Sequence, residues 1–279
     1  MVLHQSIHPE SIKHLPKIRE KVIACKKEYV EMREKFIRPY CVVFLDQTFL
    51  QMNKGKKIQL LPIHSAVHQY LKQCKFDYLY GDCPEIKEYE QGNIIPLMRF
   101  KGNIDTLENE VVEWVTNKIL RFIPELENKL RRRIVQNIWE IVNNAIVHSD
   151  NFEGASACGQ FYPAKGYFEI AFYDSGIGIA NKIKSKIKLN QLNEDSDYIE
   201  WAMDRGNSTL DVPNAGLGLY ILREFLKLNH GVFQIFSGNG YFGHTSNSVE
   251  EKKNIQNYFY GTLINIRIIF DQNIYSLKE

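Results

Sequence analysis

Trp139-Glu140-Ile141-Val142-Asn143-Asn144-Ala145-Ile146-Val147-His148 is the stretch on which the reading of the fold turns. Glu140, Asn144 and His148 recur every fourth residue. At about 100° per residue, that spacing stacks a carboxylate, a carboxamide and an imidazole along one helical stripe. Ile138, Ile141, Val142 and Ala145 cover much of the remaining circumference, so the helix is built for burial. An unsatisfied polar group in such a setting costs roughly 1 to 3 kcal/mol, and the stripe therefore needs partners. Asn and Glu oxygens suit Mg²⁺, which takes few protein ligands and completes its shell with water and phosphate. A set of internal caps and core hydrogen bonds is the alternative.

Three further pieces lie downstream. Phe172-Tyr173-Asp174-Ser175-Gly176-Ile177-Gly178-Ile179 puts an acid at the end of an apolar strand and follows it with alternating glycines. A carboxylate there can accept from an exocyclic amine, and the glycines let backbone approach a flat ring or a phosphate closely. Asn214-Ala215-Gly216-Leu217-Gly218-Leu219 leads into a helix from Tyr220 to Leu228, an arrangement that offers free N–H groups and the positive end of the helix dipole to an anion. It is neither a Walker loop nor a dinucleotide fingerprint, because no G-K-[ST] follows and the third glycine is missing. Gly261-Thr262 opens the last apolar strand, Leu263 to Phe270.

In this order and spacing the four pieces resemble the GHKL ATPase superfamily, which has the Bergerat nucleotide-binding fold. The likeness covers roughly residues 105 to 270. It implies an α+β, two-layer α/β sandwich that binds ATP with Mg²⁺. Asn144 would hold the metal, and Glu140, one turn earlier, would act as the catalytic acid-base group. Asp174 would take the adenine amino group, with Gly176 and Gly178 shaping its pocket. Gly216, Leu217 and Gly218 would cradle phosphates after a lid spanning residues 181 to 213, and Thr262 would help hold adenine. The pattern Glu140-x-x-x-Asn144-Ala145-x-x-His148 is most similar to the anti-sigma-factor serine kinases. A classical sensor histidine kinase is disfavoured, since residues 101 to 147 contain no histidine to accept the phosphoryl group.

The whole-chain properties agree with such a protein. In 279 residues, 44% are hydrophobic and 24% charged, the composition of an ordinary globular chain. Lys plus Arg number 35 against 33 Asp plus Glu, so no overall field favours nucleic acid or an anionic membrane. Five scattered cysteines without a C-x-x-C pair read as reduced, and no run of 18 apolar residues is present, so a cytoplasmic protein that does not enter the membrane is expected.

Upstream, residues 10 to 35 read as a polar helix and Tyr40 to Asp46 as a buried strand feeding a turn. Ile58 to Leu61 reads as a second strand, followed by a helix from Pro62 to about Cys74. These define a small α/β domain over residues 1 to 100, similar to STAS-like regulatory domains, with Thr48 and Ser65 as phosphoacceptor candidates; the ATP-binding domain takes 101 to 279. Thr106 to Ile123 and the segment onward to Ser149 read as two helices, Lys182 to Pro213 as polar and irregular. The insertion from Gly238 to Tyr260 reads as a docking loop or disorder.

Two functions follow from the resemblance. One is a Mg²⁺-dependent enzyme that hydrolyses ATP or transfers its phosphoryl group to a protein in signalling, as a serine/threonine kinase of the anti-sigma type does. The other is a nucleotide-controlled, protein-binding switch without significant turnover. Both call for a protein partner or substrate and leave homodimerisation open.

Overall fold

The structure is a computed structural model that describes residues 2–3, 12–52, 58–80, 92–122, 128–147, 153–209, 218–244 and 249–269. In chain order its elements are β1 (Val2–Leu3), α1 (Leu15–Ile23), β2 (Tyr29–Met32), α2 (Pro39–Met52), β3 (Gln59–Pro62), α3 (Ser65–Gln73), β4 (Ile94–Phe100) and α4 (Ile104–Trp114). There follow α5 (Asn128–Val147), β5 (Ala155–Tyr162), β6 (Tyr167–Asp174), α6 (Ile179–Lys186), α7 (Asp195–Met203), α8 (Gly218–Leu228), β7 (Val232–His244) and β8 (Glu250–Ile269). The chain is α+β: β1, β2 and β3 form a small parallel sheet, and β4-β5-β6-β8-β7 form an antiparallel sheet of five strands.

Alternation along β6 sorts the core. Ile170 and Phe172 point to one face, where they meet α4, α5 and α8 through Val111, Ile138, Val142, Leu222 and Phe225. Ala171 and Tyr173 point to the other, where they meet the N-terminal elements through Leu15, Val43, Phe44 and Phe49. Every residue of β6 is buried, as a strand covered on both faces must be. The two-layer unit thus carries a third layer made by the N-terminal elements. The strand β4 lies before residue 100 yet pairs with β5, so the C-terminal sheet begins upstream of that divide.

The run Tyr40 to Asp46, read as a strand, is instead the heart of α2. A short apolar run has no period that separates a buried strand from a buried helix. Here Pro39 opens the helix and everything from Pro39 through Phe49 is buried, because α1 covers one side and β5 and β6 the other. The strand ending in Asp46, on which the STAS likeness rests, is therefore not formed. Thr48 is buried and donates to the Phe44 carbonyl (2.8 Å), while Ser65 is the first residue of α3.

Other boundaries also moved. The polar helix over residues 10 to 35 is a 3₁₀ turn at Ile12–His14, then α1, then β2, where Val30 and Met32 alternate inward. The Lys182-to-Pro213 stretch contains the end of α6 and all of α7. The expected insertion from Gly238 is a long extension of the β7–β8 hairpin, held by α7 on one face and by Ile255 and Phe259 in the N-terminal core on the other.

Candidate functional site

Asp174 is the last residue of the central strand β6, buried between Ala155 of β5 and Thr262 of β8, its direct neighbours across the sheet. The backbone N–H of Gly176 donates to Asp174 Oδ1 at 3.0 Å. Burial pushes the Asp174 carboxyl up to about 7, and the backbone N–H groups of Gly176 and Thr262 pull it part of the way back. Among the described residues, the groups that hydrogen-bond to this carboxyl are backbone N–H donors, those of Gly176, Thr262 and Asp174 itself.

The loop after Asp174 is locked by two glycines and one serine. Gly178 caps α6 with φ +80°, and a Cβ there would stand 2.8 Å from Ser237 Oγ. Gly261 has φ +86°, and its Cβ would fall 2.0 Å from the Asp174 carbonyl oxygen. Ser237, in register with Thr262, accepts from the Ile179 N–H (2.9 Å) and donates to the Gly261 carbonyl (2.9 Å). Its single proton is thereby used, so in the 3.2 Å contact with Thr262 the threonine hydroxyl donates, leaving Thr262 Oγ1 an acceptor. Asp174, Gly176, Gly178 and Thr262, four residues chosen from sequence, therefore meet at one end of the sheet.

Helices α5 and α8 pack against the same sheet and against each other. Helix α5 packs on β5, β6 and α8, with Ile138, Ile141, Val142 and Ala145 buried as their spacing requires. Glu140 and Asn144 are half-buried on it, and the chain leaving α5 returns as β5, whose first residue Ala155 stands opposite Asp174. Asn143 Oδ1 is buried with no hydrogen-bond partner among the described residues. Helix α8 ends near the end of the sheet opposite Asp174, where Asn229 exchanges two hydrogen bonds with Ile269 of β8 (2.8 and 2.7 Å). His230 at φ +52° and Gly231 then lead the chain into β7. Gly216, Leu217 and His148 lie outside the described residues.

The segment expected as a lid is largely fixed. Lys184 pairs with Asp195 (3.1 Å) and sits over the Tyr198 ring, Asp195 accepts from the Asn239 N–H (2.9 Å), and Ile199 and Met203 enter the core. Only residues after Met203 are left for such a role, and Arg205 there is exposed. Among the described residues no group of three or more His, Cys, Asp or Glu gathers to hold a metal. No described helix is long and apolar enough to cross a membrane.

Two residues of the site were not legible in the sequence. Ser237 closes an ordinary apolar strand. Gln47 of α2 accepts from Ser175 Oγ at 2.9 Å, a contact spanning 128 positions that no local pattern announces. The chain matches no protein-family model and no curated protein.

Proposed function

We propose that this chain is a Mg²⁺-dependent ATP-binding protein of the GHKL type, with the Bergerat arrangement of α4, α5 and α8 on an antiparallel sheet, acting as an ATPase or as a protein serine/threonine kinase. The observation that carries the reading is the buried Asp174 carboxyl beside Thr262, with Gly178 and Gly261 at positive φ where a Cβ would strike Ser237 and the Asp174 carbonyl.

In this reading the ionised Asp174 accepts from the exocyclic amine of adenine, and the glycine loop leaves room for the ring. Free N–H groups at the start of α8 take phosphate oxygens. The Asn144 carboxamide would hold Mg²⁺, which neutralises phosphate charge when bound. Glu140 orients and polarises the attacking hydroxyl, from water in a hydrolase or from a protein side chain in a kinase. Positioning and charge neutralisation dominate phosphoryl transfer, so one set of residues supports either outcome.

The test is calorimetry with ATP and Mg²⁺, then parallel measurement of phosphate release and label transfer to protein. Asp174→Asn is expected to abolish binding. Glu140→Ala is expected to keep binding and lower turnover by at least about 100-fold, the usual worth of a general base. Binding without phosphate release or label, in wild type, supports the switch reading, which the contact of the N-terminal layer with the Ser175 loop favours. Absence of heat with folded protein overturns all of these.

A further inference from the structure

Helix α2 is apolar except for Asp46, Gln47, Thr48 and Gln51 near its end. Asp46 accepts from Nε and Nη2 of Arg99 of β4, in three hydrogen bonds, and from Ser156 Oγ of β5 (2.6 Å). Gln47, fully buried, donates from Nε2 to Ser156 Oγ (2.9 Å) and accepts from Ser175 Oγ (2.9 Å). Gln51, half-buried, donates from Nε2 to the Ser175 carbonyl (3.2 Å) and accepts from Arg19 of α1 (2.8 Å), whose guanidinium lies over the Tyr260 ring. Ser175 is thus held by its hydroxyl and its carbonyl, both from the same helix, and it is the residue between Asp174 and Gly176.

An apolar side chain at position 47 would satisfy the packing of α2 on the sheet without desolvating an amide. Buried polar networks are seldom more stabilising than well-packed hydrocarbon of the same volume. Their directional bonds do fix a neighbour's conformation, and here the neighbour is the backbone that sets where the Asp174 carboxyl and the Gly176 N–H point.

We propose that Gln47 and Gln51 are positioning residues of the Asp174–Gly178 loop, and that through them the N-terminal layer sets the affinity of the site for its adenine nucleotide. The proposal rests on the ATP-binding reading for its ligand, although the tether itself does not. Whatever shifts α2, a partner seated on the N-terminal elements included, changes nucleotide affinity. By linkage, bound nucleotide changes the affinity for such a partner by the same factor.

The full-length chain tests this with four variants. Gln51→Met and Ser175→Ala are expected to bind ATP with Mg²⁺ about tenfold more weakly, the scale of one lost hydrogen bond, with the ligand-free melting temperature within a few degrees of wild type. Gln47→Leu is expected to do the same; if it fails to fold, the other two decide. Thr48→Val, on the same helix and bonded only to its own backbone, is expected to bind as wild type. Amide exchange over residues 176 to 180 is expected to quicken in Gln51→Met. The tether is overturned if Gln51→Met and Ser175→Ala bind and exchange like wild type, or if Thr48→Val weakens binding equally. If wild type itself shows no heat with ATP, the functional reading falls, and exchange over 176 to 180 alone decides the tether.

Discussion

A carboxyl whose folded-state value is about 7 couples Asp174 to pH in two separable ways. In the unfolded chain it titrates near 3.9, so between pH 4 and 7 the native protein keeps a proton that the unfolded chain has released. Native protein then binds more protons than unfolded, and stability falls as pH rises through this window. Asp174→Asn has no such loss. Relative to wild type it is expected to gain on the order of 1–4 kcal/mol by pH 8, read as a melting-temperature difference that widens from pH 5 to 8; a constant difference overturns the assignment. On the proposed ATP-binding reading nucleotide affinity runs the opposite way, because a carboxylate that accepts from the adenine amine would have to be ionised. Affinity is expected to fall up to tenfold per unit below pH 7, with a proton released on binding that calorimetry in buffers of different ionisation heat detects. Gly261 belongs at this scale too. Gly261→Ala places a methyl against the Asp174 carbonyl in a backbone conformation only glycine adopts easily, and at least ~2 kcal/mol of stability is expected to be lost in chemical denaturation.

Among the elements, legibility followed periodicity and covalent neighbourhood. Helix α5 was readable because Ile138, Ile141, Val142 and Ala145 mark one face every three to four residues, and all four are buried as read. Strand β6 was readable because an apolar run ended at an acid and a glycine. Helix α2 was not, since Tyr40-Cys41-Val42-Val43-Phe44-Leu45 is apolar on every side and only its enclosure between α1 and the sheet makes helix the answer. The β7–β8 extension was missed for the converse reason. Its Glu250-to-Tyr260 half shows mostly polar residues to solvent and only Ile255 and Phe259 inward, so it carries too few apolar positions to announce a strand. Ser237 and Gln47 escaped because their partners come from distant elements, and a side-chain hydrogen bond leaves no trace in local spacing.

The molecule as a whole is tied together across the central sheet, and this makes its layers interdependent. On the N-terminal face Phe44 packs on Tyr173 and Phe259 with ring centroids 5.0 and 6.0 Å away, and Phe259 in turn meets Phe236. At the opposite end of that face, Arg38 reaches the wholly buried Glu169 at 2.5 Å, with Arg267 of β8 completing the group at 3.3 Å. Glu169 lies on the central strand, so removing Arg38 leaves its charge in the core with only the longer Arg267 contact. Arg38→Met is therefore expected to cost about 3 kcal/mol. Phe44→Ala is expected to cost about 3–5 kcal/mol from the cavity between layers. If the layers form one cooperative body, both variants shift a single denaturation transition, reported identically by far-ultraviolet circular dichroism and by the fluorescence of Trp114, Trp139 and Trp201, none of which belongs to the core cluster that holds Phe44. If the N-terminal layer instead unfolds by itself, Phe44→Ala splits the transition, and the tryptophan signal from the helical face keeps its wild-type midpoint. That second outcome would mean that the N-terminal layer can leave the sheet while the Asp174 end stays folded, and the Ser175 loop would then lose its hold from α2 without global unfolding.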